Sequence, residues 1–84
     1  MVDPYTDMGN IRTFLDEHDK EDFVWHRDAE DRVIEILEGE AWQLQFENTL
    51  PYLLKPGQSF LIKKNEYHRL IKGVGTLTAR IVKL

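Results

Sequence analysis

Short apolar runs alternate with polar residues along this chain, and Gly, Pro and Asn separate them. Ala41–Phe46 is the clearest case. Trp42, Leu44 and Phe46 fall on one side and Gln43 and Gln45 on the other, which is the two-residue period of an extended strand. Arg32–Glu38 is rich in β-branched residues and stops at Gly39. It predicts a strand that buries Ile34 and Ile36, because the opposite register would bury Glu35. Tyr52–Leu54, Ser59–Ile62, Tyr67–Ile71 and Leu77–Leu84 predict further strands, with turns at Asn48–Pro51, Pro56-Gly57, Lys63–Glu66 and Gly73–Gly75. Phe23, Val24 and Trp25 are good strand formers and predict a strand over Asp22–His26. Asn10–Glu17 reads two ways. Asn10 can cap a short helix, while Ile11, Thr13 and Leu15 also alternate with Arg12 and Phe14. About seven or eight strands at roughly 8–12-residue spacing predict an all-β fold, an antiparallel β-sandwich or barrel.

At 84 residues the chain makes one domain. We read residues 1–21 as an N-terminal arm and edge strand and residues 22–84 as the core. Cys is absent, so neither disulfides nor thiolate ligands contribute. No apolar run reaches the ~18 residues that span a bilayer. Met1–Tyr5 has neither the basic nor the apolar stretch of a signal peptide, so a cytoplasmic location is expected. The net charge of −4 divides unevenly. Met1–Glu47 holds 14 acids and 4 bases, and Asn48–Leu84 holds 1 acid and 7 bases. The overall acidity argues against a nucleic-acid partner, whose phosphates need clustered Lys and Arg. A nucleophilic triad has no support, since Ser59 is the sole Ser and nothing marks it as activated.

Candidate chemistry lies at two sets of spaced polar residues. Counting back from Gly39 gives Arg32, Asp28, His26 and Lys20; counting on from Gly57 gives Lys63, Asn65, His68 and Lys72. Residues 26, 28, 32, 34 and 36 share parity, so along an extended chain they point to one face. These spacings resemble the two motifs of the cupin family of small β-barrels, G-x(5)-H-x-H-x(3,4)-E-x(6)-G and G-x(5)-P-x-G-x(2)-H-x(3)-N. His26, Gly39, Gly57 and His68 match. Lys20, Asp28, Arg32, Lys63, Asn65 and Lys72 replace the family's residues. The resemblance covers Asp22–Leu84 and implies a jelly-roll fold, a homodimer, and a divalent metal held by three His and one Glu.

The corresponding set here is His26, Asp28, Arg32 and His68. Two imidazoles and a carboxylate form a recognised metal set, so His26, Asp28 and His68 are the candidate ligands for iron, manganese, nickel or zinc. Arg32 stays protonated and cannot donate a lone pair to a metal. It can pair with Asp28, four residues away on the same face, or clamp an anionic ligand. The alternative function is therefore a metal-free module that binds a small anion through Arg32, with Arg80 if its strand turns it inward. A third is a structural or interaction protein with a vestigial cavity. Trp25, Trp42 and Phe60 are expected in the core. Lys63 and Lys64 are expected in a solvated turn, and His18 in an exposed one.

Overall fold

The computed structural model describes residues 11–14 and 20–84, with side chains from residue 22 onward in the second range; the first ten residues of the expected arm and the expected turn at His18 lie outside them. Its elements are β1 (Ile11–Phe14), a single helical turn α1 (Lys20–Phe23), β2 (Arg32–Glu40), β3 (Gln43–Phe46), β4 (Tyr52–Leu53), β5 (Ser59–Ile62), β6 (His68–Ile71) and β7 (Val74–Lys83). All ladders are antiparallel. They form one sheet of order β1-β7-β2-β5 and a second of order β4-β3-β6. The all-β, antiparallel expectation holds. Among the described residues no ladder joins the two sheets into a closed barrel. No helix among them is long and apolar enough to cross a membrane.

The core lies between the sheets and follows the two-residue period. Ile34 and Ile36 of β2, Leu44 of β3, Ile62 of β5, Leu70 of β6, and Leu77 and Ile81 of β7 are all buried. This fixes the register of β2 as its apolar parity requires. Arg32 therefore shares the inner face with Ile34 and Ile36. β1 resolves the ambiguous segment as strand across its described residues, and Phe14 is buried at its end. The turn residues adopt the conformations that their types favour. Gly57 has φ 92° and Asn65 has φ 66°, the left-handed region open to Gly and, among other residues, most readily to Asn.

Three expectations need correction. Asp22–His26 is not a strand: α1 runs to Phe23, and only His26 pairs, in a single bridge with His68. Phe23 packs on the buried Trp42 ring at 5.8 Å between centroids, and that tertiary contact outweighs the local β preference. Trp25 is not core. It is 43% exposed, and the Arg69 guanidinium lies over its ring at 4.8 Å. Arg80 points outward, as its place between the buried Ala79 and Ile81 dictates. It pairs with Glu35 at 3.4 Å, and both side chains are more than two-fifths exposed.

Candidate metal centre

The site is built where the segment after α1 meets the start of β6. His26 and His68 exchange backbone hydrogen bonds, His26 N–H to His68 O at 3.0 Å and His68 N–H to His26 O at 2.9 Å. Residues directly opposite in an antiparallel pair project to the same side. The two rings meet edge to face at 4.3 Å between centroids. Asp28 lies two residues further on, on the same face. The turn at residues 63–66 is fastened to this segment twice, by Asn65 N–H to Asp28 O at 2.9 Å and by Lys64 N–H to Asp31 Oδ1 at 2.7 Å. Parity and these clips bring His26, Asp28, Arg32 and His68 to one pocket. Ile34, Leu44, Ile62, Leu70 and Ile81 are among the residues at its apolar walls.

Both imidazoles are held by the same device. His26 Nδ1 lies 2.8 Å from the Val24 carbonyl oxygen, and His68 Nδ1 lies 2.8 Å from the Glu66 carbonyl oxygen. A carbonyl only accepts, so each Nδ1 carries the proton. That leaves the Nε2 lone pair, the tautomer and restraint found in metal-ligating His. Burial pushes the His68 pKa below its ordinary 6.5. The Glu66 carbonyl and the Asp28 carboxylate oppose that shift, while the charges of His26 and Arg32 reinforce it. His68 is therefore neutral at neutral pH.

Each oxygen of Asp28 faces a nitrogen. Oδ1 is 3.3 Å from Arg32 Nη1, and Oδ2 is 3.4 Å from His68 Nε2. The expected Asp28–Arg32 pairing is present, and it leaves the second oxygen turned toward His68. Neutral His68 and Asp28 thus face one another as two acceptors, an arrangement that a cation between them would relieve. One ligand atom from each of His26, Asp28 and His68 lies within 4.8 Å of the others. Atoms ~2.0–2.2 Å from a shared ion stand at most about 4.4 Å apart, so small side-chain rotations close the set. These residues fit a divalent ion.

Arg32 lines the pocket without being a donor to a metal. Its Nη2 is 3.3 Å from Glu30 Oε2, and its Nε is shielded and has no hydrogen-bond partner. Arg12 and Asp22, paired at 2.8 Å, also line the pocket and were not singled out from the sequence. The signal for Arg12 was its parity with Phe14 on β1. The signal for Asp22 was its parity with His26 and Asp28, although it lies on α1 rather than on a strand. Arg80 is not part of the site. No family model matches this chain, and no curated protein or solved structure matches it.

Proposed function

We propose that this chain is a small cupin-like protein that binds a divalent metal ion through His26, Asp28 and His68. One observation carries the reading: two imidazoles with Nδ1 tied to carbonyls, and a carboxylate, each bring one ligand atom to within 4.8 Å of the others. Kinship with the cupins is supported by the four motif positions 26, 28, 32 and 68 sharing one pocket. It is also supported by Asn65, which stands where the motif has Gly and keeps a left-handed backbone. A divalent ion here would supply Lewis acidity toward an oxygen ligand, or dioxygen chemistry if it were iron(II). The chain's own part is to present two imidazoles held at Nδ1 by carbonyls, to orient Asp28 through Arg32, and to surround the site with apolar side chains.

Metal analysis and calorimetric titration of protein purified without a His tag test this reading. Wild type takes up about one equivalent of zinc or cobalt. His26→Ala and His68→Ala each weaken binding by more than the roughly 10–100-fold that loss of an outer-shell partner costs. Unchanged metal content in both variants would overturn it. The metal-free anion site around Arg32 has the unpartnered Arg32 Nε in its favour, but Arg80, its expected second cation, points outward, and the Arg12 that lines the pocket is paired with Asp22.

A further inference from the structure

The metal reading uses only part of the charge around the pocket, and this inference rests on that reading. Four ionised side chains line the pocket, Arg12 and Arg32 against Asp22 and Asp28. Their charges cancel, so a bound divalent ion leaves the pocket with an excess of two positive charges. Three protein ligands also leave coordination positions open. The shielded Arg32 Nε–H is a donor without an acceptor, and such a group is costly to bury unless something accepts from it. The remaining cavity is small, about 40 Å³. At about 10–15 Å³ each, that holds a few waters or one group of similar size. Phe14, Leu44, Ile62 and Ile81 give the same space an apolar side.

We infer that the metal-loaded site takes a small monocarboxylate of one to three carbons. Its negative charge would be shared between the ion and Arg32, and its carbon end would lie against the apolar wall. The excess positive charge selects an anion over a neutral molecule. The planar guanidinium suits a planar carboxylate. The enclosed volume fits a carboxylate and a short carbon end, and is too small to surround a whole sugar or nucleotide.

Cobalt-loaded protein provides the test, because cobalt absorption reports changes around the ion without requiring any catalytic activity. Titration with acetate should shift the visible spectrum saturably, and acetamide, the neutral molecule of the same shape, should not. In Arg32→Met loaded with cobalt, the acetate response, read against that variant's own acetate-free spectrum, should weaken about tenfold or more. Arg32→Lys, which keeps the charge and loses the planar fork, should weaken it less. A wild-type cobalt spectrum that acetate does not move, or that acetamide moves equally, overturns the inference and leaves the metal reading standing. Absence of any cobalt spectrum overturns both. A rise in melting temperature with acetate in metal-free wild type, lost in Arg32→Met, would overturn the dependence on metal.

Discussion

His68 governs how the site responds to pH. Its folded-state pKa lies below the unfolded value of about 6.5, chiefly through burial. Between those two values the unfolded chain binds more protons at this residue than the folded one. The residue's contribution to stability is therefore complete above about pH 6.5 and drains away as pH falls toward the folded pKa. Metal-free wild type should melt at a lower temperature at pH ~5.5 than at pH ~7.5, and His68→Gln should flatten the difference; an equal fall in both would assign it to other groups. Metal binding should weaken over the same acid range, since a protonated imidazole has no lone pair to give. Asp28→Asn separates the influences on His68. It removes a carboxylate that raises the pKa, so NMR titration of the ring should show a lower value than in wild type; a higher one would contradict the assigned contact. Much of this site was legible in the sequence, because parity alone places 26, 28 and 32 on one face with Ile34 and Ile36. Arg80 was misplaced although the same rule applies, since Leu77, Ala79 and Ile81 occupy the inner positions of β7.

At the scale of elements, the strands with clean alternation were readable and the one without it was not. Phe23-Val24-Trp25 is an unbroken apolar run, and periodicity cannot tell a strand from a turn of helix there. Its fate depends on Phe23 reaching the ring of Trp42, a partner 19 positions along the chain that local propensity does not register. The same is true of the junction before β7. Gly73 was legible as a turn residue, but its demand is steric. A Cβ there would press into the Glu40 carbonyl oxygen, the Ala41 carbonyl carbon and the Trp42 amide nitrogen. These are backbone atoms that cannot step aside as a side chain can. Gly73→Ala should therefore lower stability by about 1–3 kcal/mol, the usual cost of overpacking, read as a lower urea midpoint. Gly39→Ala makes a useful contrast. Its Cβ would crowd the side-chain end of Leu77 at 2.7 Å, while its other neighbours, Leu77 Cα and Trp42 Cδ1, lie at an ordinary 3.8 Å, so the smaller loss is expected there. Equal losses would mean that backbone crowding does not decide the matter.

For the whole molecule, the uneven charge of the sequence becomes an arrangement of strands. β1, β2 and β3 come from the acidic segment up to Glu47; β4, β5, β6 and β7 come from the basic segment that follows. Every strand ladder joins one to the other, β1 to β7, β2 to β5 and β7, and β3 to β4 and β6. Among the described residues neither segment contains a ladder of its own. Ion pairs also cross the divide, Arg80 to Glu35 at 3.4 Å and Lys83 to Glu30 at 3.8 Å. Exposed pairs of this kind contribute only about 0–1 kcal/mol each, so they do not hold the halves together. The core does, because Phe14, Ile34, Ile36 and Leu44 pack against Ile62, Leu70, Leu77 and Ile81. Charge and core then predict different things for a chain divided between Glu47 and Asn48. Each fragment alone should show no strand signal by circular dichroism, since its strands lack partners. Mixing the two should restore the signal. Opposite fragment charges should speed association at low salt, and added salt should slow it steeply while changing the final extent of folding little. Strand signal from either fragment alone would contradict the ladder assignment. A final extent that collapses with salt would mean that charge rather than burial holds the sheets together.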